Sequence, residues 1–355
     1  MRKRRSGGRP TIADVAKRAG VSSITVSRAL RDPERVSPQL RQQIEEAVRE
    51  LEYVPDQHAR ALASARTDVI GVIIPSFTNN VFADVLRGIY DGLAQTPYQV
   101  QLGNSRYSPI EEERLLATFL SQRPAALIVA GIDQTERGRA LLAAAGCPVV
   151  QVMDLGDDPV DMMVGFSHKA SGHAVTSHLL EAGYRRIGFL GARMDPRTQR
   201  RLEGYRAALA EAGLYDPARI TTTPASSSVS LGRDLLRDLL ARMPDTDAVF
   251  CNNDDLALGA LFECQRALLA VPASMGIAGF NDLEMMAAAC PSLTSVRTPR
   301  YEIGSRAVQM ARAAIAGRRP AERVVDTGFA LQIRESTKRP ETVRPQPMGV
   351  LYNNA

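Results

Sequence analysis

No apolar run in the 355 residues approaches the ~18 that a membrane-spanning helix needs, and there is no low-complexity tract. Membrane spans and fibrous architectures are thereby excluded. Cysteine is scarce: Cys147, Cys251, Cys264 and Cys290 form no CxxC pair, which reads as reduced, mostly buried thiols rather than disulfides or a zinc site. No GxGxxG follows a strand-like run and there is no GxxxxGK[ST], so neither a Rossmann dinucleotide site nor a P-loop is expected. The opening MRKRRSGGRP is basic but leads into a polar helix, not an apolar stretch with a cleavage site, so the expected location is cytoplasmic.

Catalytic patterns fail as well. GFSHK at 165–169 approaches the GxSxG nucleophile elbow but ends in lysine, losing the second glycine of that turn. His168, His173 and His178 look like a cluster. However, steps of five residues turn a helix by about 500°, leaving successive imidazoles roughly 140° apart, so they cannot share one metal on a regular helix. Neither an enzyme nor a cofactor is expected.

What is present is a charge asymmetry. Residues 1–66 carry 14 Lys+Arg against 8 Asp+Glu, while the whole chain has a formal net charge of only +5, so the remainder is close to neutral. A positive field confined to one end suits nucleic-acid binding, because Lys and Arg contacts to phosphates release counterions.

The basic end has a readable fold. Thr11 precedes Ile12, Val15, Ala16 and Ala19, an i, i+3, i+4, i+7 pattern with Asp14 placed for a capping box. Gly20 permits a tight turn, Val21 plugs the core, and Ser22 is a suitable N-cap for a second helix. In that helix Val26, Ala29 and Leu30 share a buried face, which turns Ser23, Ile24, Ser27 and Arg28 outward. An outward isoleucine fits a helix entering the major groove, where Ile24 touches a thymine methyl and Arg28 pairs with guanine. Thr25 and Ser27 suit phosphate oxygens, and Thr11 and Ser22 complete the DNA-contacting set. A third helix opens with Ser37 and Pro38 and carries Leu40, Ile44, Val48 and Leu51. The result is an all-α helix-turn-helix head.

Beyond Val69, short apolar runs (VIGVII, ALIVAG, PVVQVMD, RIGFLGA, AVFCNND, MGIAGFND) alternate with amphipathic helical stretches, the signature of an α/β fold with parallel sheets. Polar residues gather at the carboxyl ends of the runs, where open α/β sheets bind ligands.

The string TIADVAKRAGVSSITVSRAL resembles the headpiece of the lactose-repressor family of bacterial regulators, and the likeness continues over roughly residues 10–338. It implies double-stranded DNA with a pseudo-palindromic operator as partner, no membrane association, and these boundaries: head 1–55, hinge 56–67, a two-lobed sensor resembling periplasmic sugar-binding proteins at 68–338, and a disordered tail at 339–355. The implied lobes are 68–166 with 300–326, and 167–296 with 327–338. HARALA resembles the hinge helix, with Arg60, Leu62 and Ala63 at the DNA and Leu62 wedging open a minor-groove step; the plainer reading packs Leu62 on the core. The implied cleft residues are Asp154, Phe166, Arg201, Asn253 and Asn281, with Phe77 and Phe82 as walls or core. Asn281 stands where the family often has aspartate, which suits an anionic ligand.

Within the family, FTNNVFADVLRGI, VMDLGDDPVDMMVGF, LGARMDPRT, VFCNNDDLALGALFECQR and AGFNDLE resemble the branch that governs gluconate use. A repressor of sugar-acid catabolism genes, released from its operator by gluconate, is implied. The carboxylate would pair with Arg201, or with Arg193 or Arg197 in the same segment. The alternatives are 2-ketogluconate, 6-phosphogluconate, or a corepressor-dependent mode. A head this small needs two copies on its operator, hence a homodimer. The Pro-rich tail lacks the leucine heptad of the family's tetrameric member.

Overall fold

A computed structural model describes residues 10–31, 33–54 and 67–339. The chain divides into two compact units between Thr67 and Asp68. Arg60, Leu62 and Ala63, nearly all of the expected hinge and the carboxy-terminal tail lie outside the described residues.

In the smaller unit, α1 (Ile12–Arg18), α2 (Ser23–Arg31) and α3 (Pro38–Glu50) surround one small core. The Asp14 amide donates to Thr11 Oγ1, and the Asp14 carboxylate accepts from the Thr11 amide at 2.9 Å, so two free N–H groups of α1 are satisfied reciprocally. Gly20 turns the chain at φ +65°, and Ser22 Oγ accepts from the Thr25 amide at 3.2 Å to start α2. Val15, Ala16, Ala19, Val26, Ala29, Ile44, Ala47 and Tyr53 are buried together. With most of these side chains small, the unit depends on close helix approach rather than on bulk.

The larger unit continues with β1 (Val69–Ile74), α4 (Val81–Leu93), β2 (Gln99–Asn104), α5 (Pro109–Ser121), β3 (Ala126–Ala130), α6 (Glu136–Ala143), β4 (Val149–Val152) and β5 (Met162–Gly165). Then come α7 (His168–Glu181), β6 (Ile187–Ala192), α8 (Pro196–Glu211), β7 (Ile220–Thr223), α9 (Val229–Arg242), β8 (Ala248–Cys251), α10 (Asp254–Arg266) and β9 (Gly276–Asn281). It ends with α11 (Glu284–Ala288), β10 (Thr294–Arg297), α12 (Arg300–Ile315), β11 (Val324–Asp326) and β12 (Ala330–Gln332). Among the described residues the strands form two sheets, ordered β11-β5-β4-β3-β1-β2 and β12-β10-β9-β8-β6-β7. All neighbours are parallel except β12, which runs antiparallel to β10. The chain passes between the sheets three times, after β5, after β10 and before β12.

The two sheets repeat one topology. In each, the first strand has the second on one side and the third on the other, so the segments leaving β1 and β3, and those leaving β6 and β8, diverge to opposite faces. A crevice opens at that point beyond the carboxyl ends of the strands. The fold therefore creates two such crevices.

Helices α7 and α8 cover one face of the second sheet at backbone contact. A Cβ on Gly172 would lie 2.3 Å from the Arg201 carbonyl oxygen, and one on Gly204 would lie 2.1 Å from the Lys169 carbonyl oxygen. Only hydrogen fits at either position, so this helix pair has a single permitted separation. Gly172→Ala is expected to lower the unfolding free energy by about 2 kcal/mol through overpacking, read as a lower urea midpoint at unchanged slope.

Candidate functional site

A cavity opens at each crevice of the larger unit, and the two share Tyr107, Asp195 and Arg197. The one at the second sheet is basic. Arg193 leaves β6 at φ +65° and is followed by Met194 at φ +48°; two successive left-handed residues swing the side chain off the strand line. Its guanidinium lies 4.0 Å from the centre of the Tyr107 ring and donates to Ser226 Oγ at 2.5 Å. Tyr107 is held in turn by Asn79, whose amide donates to its hydroxyl at 3.0 Å.

Arg197 and Arg201 follow one helical turn apart on α8, on one face. Arg197 pairs with Asp195 at 3.2 Å. Burial raises the Asp195 pKa, but Arg197 and the Thr198 amide outweigh it and hold the carboxyl below the usual range. Arg201 is gripped on three sides. Its Nε donates to His168 Nδ1 at 3.1 Å and its Nη1 to the Asn252 carbonyl at 2.5 Å, and its plane lies 3.7 Å from the Phe280 ring centre. Burial pushes Arg201 down to about 10, with the like charge of Arg197 adding to the effect, so it stays cationic at neutral pH.

His168 fixes the arrangement. Its Nε2 donates to the Met153 carbonyl at 2.9 Å, which leaves Nδ1 as the acceptor Arg201 needs. Burial, then the charges of Arg201 and Arg197, hold its pKa well below the usual value, so the ring is neutral. Polar groups complete the wall. Asn252 spans the switch point, donating from Nδ2 to the Ala192 carbonyl (3.1 Å) and Thr198 Oγ1 (3.0 Å). Asn253 caps α10 through its oxygen, accepting from the Leu256 amide at 3.1 Å. Asn281, at φ +111°, accepts from Arg300 through its carbonyl and lines the cavity. Among the described residues no carboxylate lies within ion-pair distance of Arg193 or Arg201, so the lining carries more positive than negative charge. It is suited to a carboxylate attached to a hydroxyl-rich body.

The family profile described as bacterial regulatory proteins, lacI family, matches residues 11–56, and that of a periplasmic binding protein-like domain matches residues 176–337. The chain is 45% identical over 333 residues to the HTH-type transcriptional regulator GntR of Pseudomonas aeruginosa, covering 94% of this chain and 97% of that one. The chain belongs to the lacI family of bacterial regulatory proteins. It is 41% identical to GntR of Escherichia coli K12, over 91% of this chain and 97% of that one. A solved LacI-family regulator from Silicibacter pomeroyi superposes with a TM-score of 0.87 at 37% identity, covering 93% of this chain and 100% of that one. As a member of this family the chain is a DNA-binding transcriptional regulator and not an enzyme.

The structure brings Phe82, Arg193, Arg197, Arg201, Asn253 and Asn281 to the basic cavity, and it places three other expected cleft residues elsewhere. Asp154 is buried with its carboxylate spent on Arg200 at 2.8 Å and on the Leu155 amide. Phe166 is fully buried behind His168, with ring centres 4.4 Å apart. Phe77 is 53% exposed and lines neither cavity. Conversely, sequence reasoning assigned none of Tyr107, His168, Asp195 and Asn252 to the cleft, although it noted Asn252 among the polar residues at strand ends. Tyr107 follows a strand whose apolar signal is weak, and His168 drew attention only as a metal ligand. The three histidines part company: His173 bonds Glu211 and His178 bonds Thr337. In the head, Ile24 is 72% exposed, Ser27 and Arg28 are exposed, and Ser23 and Thr25 are half-buried. Thr11 and Ser22 both serve as caps.

Because the folded pKa of His168 is depressed, its stabilising contribution is complete above the unfolded value near 6.5 and falls as pH drops below it. The stability difference between the wild type and His168→Gln, whose amide can donate and accept in the same directions, should shift against the wild type by about 1.4 kcal/mol per pH unit below 6, read by urea unfolding at pH 7.5, 6 and 5.

Proposed function

We propose that this regulator is a cytoplasmic homodimeric repressor of sugar-acid catabolism genes that gluconate releases from a pseudo-palindromic operator. The observation that carries the reading is the basic cavity, where among the described residues Arg193 and Arg201 have no carboxylate within ion-pair distance and which Asn253 and Asn281 also line. A carboxylate supplies the missing charge, and the amides donate to or accept from sugar hydroxyls. Asn281 keeps this wall neutral, and an aspartate there would oppose the same ligand. With two of its nitrogens held by the protein, Arg201 offers the acid its remaining terminal nitrogen, and Arg193 is the freer partner. Phe82 and Tyr107 cover the apolar edge.

On the DNA side, Ser23, Ile24 and Arg28 read bases in the major groove, Thr11, Ser22, Thr25 and Ser27 meet phosphates, and Arg60, Leu62 and Ala63 act at the minor groove. Ligand and operator oppose each other through a reciprocal coupling. The domain boundaries read from the sequence stay part of this proposal.

Calorimetric titration of the purified protein with gluconate, 2-ketogluconate, 6-phosphogluconate and ribose tests the reading. Selective binding of gluconate, weakened about tenfold or more by Arg193→Gln through loss of a charge-assisted pair, is the expected result. Binding of ribose alone, or of none of the four, would overturn it. Ile24→Ala should leave the unfolding of the head within about 0.5 kcal/mol of wild type while weakening operator binding by about 1 kcal/mol or more, as read by fluorescence anisotropy with labelled operator.

A further inference from the structure

The cavity at the first sheet has the opposite polarity. Pro75 at the end of β1, Ser105 at the end of β2, and Ala130 and Gly131 at the end of β3 form its floor. Glu112 and Asp133 line it together with Gln134, and it meets the basic cavity at Tyr107, Asp195 and Arg197. The two cavities therefore adjoin at these three residues, basic where β6 and β8 end and acidic where β1 and β3 end.

Glu112 stands apart from the other acids there. Asp133 and Asp154 hold Arg200 and Asp195 holds Arg197, whereas no cation lies within ion-pair distance of Glu112 among the described residues. Its neighbour Glu111 pairs outward with Arg114, while Glu112 turns inward to the cavity. Gln134 lines the cavity beside it, its amide donating to the Gly131 carbonyl at 3.1 Å and accepting from Gln151 Nε2 at 2.8 Å. A carboxyl without a counter-ion, facing a cavity, is costly for the fold alone, and a ligand hydroxyl would satisfy it.

We propose that Glu112 is a specificity-determining residue of the cleft: it marks a subsite for the uncharged, hydroxylated end of the effector and discriminates against acids charged at both ends. This rests on the sugar-acid reading above. The carboxylate of a six-carbon aldonate lies at Arg193 and Arg201, and the hydroxyls at its far end reach toward Glu112. A carboxylate or phosphate at that end would meet Glu112, Asp133 and Asp195 together. Burial, opposed by the Gln134 hydrogen bond and Arg197, lifts the Glu112 carboxyl to about 7. The group is thus a hydroxyl acceptor when ionised and a donor when protonated, and its charge acts fully above neutral pH.

The test is calorimetric titration at pH 8 of the full-length wild type, Glu112→Gln and Glu112→Ala with gluconate, with glucarate, which has the same six carbons and a carboxylate at each end, and with 6-phosphogluconate. The wild type should favour gluconate, and in both variants the preference for gluconate over each doubly charged acid should fall about tenfold, as expected for removing one like charge from a partly desolvated site. If the wild type binds gluconate and the preference stays within about twofold of wild type in both variants, the subsite is wrong and the sugar-acid reading stands. If the wild type binds none of the three acids, both fall. The second variant serves in case the first does not fold.

Discussion

The site depends on a chain of hydrogen bonds that keeps one guanidinium charged and fixed inside the protein. It runs from the Met153 carbonyl to His168, from His168 to Arg201 and from Arg201 to the Asn252 carbonyl. Each link sets the next. Donation to Met153 determines which imidazole nitrogen accepts, and Arg201 must then donate from Nε. The geometry left over aims the arginine at the cleft. Removing one partner of a buried charge typically costs about 3–5 kcal/mol, so the chain holds as a unit. Phe280 lies against one face of the guanidinium and Phe166 against the imidazole, excluding water that would otherwise compete for these bonds. The glycine contacts between α7 and α8 serve the same end, since Gly172 abuts the backbone of Arg201 itself.

Around this chain the two lobes are tied by charge-assisted links. Arg200, on a second-lobe helix, bridges Asp133 and Asp154 of the first lobe. Arg300, at the start of α12, donates to Asp84 on α4 and to the carbonyl of Asn281 on β9. Asn281 thus belongs to the cavity wall through its side chain and to the lobe connection through its backbone. The cleft is therefore not a gap between independent bodies: residues that line it share backbone and helix with those that join its two sides.

Much of this was legible beforehand, for identifiable reasons. Strands buried on both faces, such as β1, β3, β4, β6, β8 and β9, have continuous apolar runs and stand out. Edge strands such as β2 (QVQLGN) and β7 (ITTT) do not, because they bury only part of one face, and with β2 went the segment that delivers Tyr107. Asp154 was expected in the cleft from the family resemblance and from its place at a strand's end, but neither decides which way a carboxylate turns. Arg200, four residues beyond the cavity-lining Pro196 turn, claims it. Phe166, which the resemblance implied for the cleft, is turned into the core, and Phe77, expected as wall or core, is exposed. In the head, where short-range capping and periodicity govern, the caps at Thr11 and Ser22 and the outward Ile24 all agree with the pattern.

The sequence by itself determined the division into a basic helical head and an α/β sensor, the family, and the segment that supplies the arginines, because capping, hydrophobic period and strand-end composition are local or nearly so. Only the tertiary structure decided which of neighbouring polar residues face the cavity. Arg197 and Arg201 face the cavity while Arg200 turns away to tie the lobes, and Asn253 and Asn281 line it while Asp154 does not. Those choices follow from helix phase and from partners 33 to 67 residues away in sequence. The opposite polarity of the two crevices is likewise invisible in a linear reading, since it arises from strand ends that meet only when both sheets have formed.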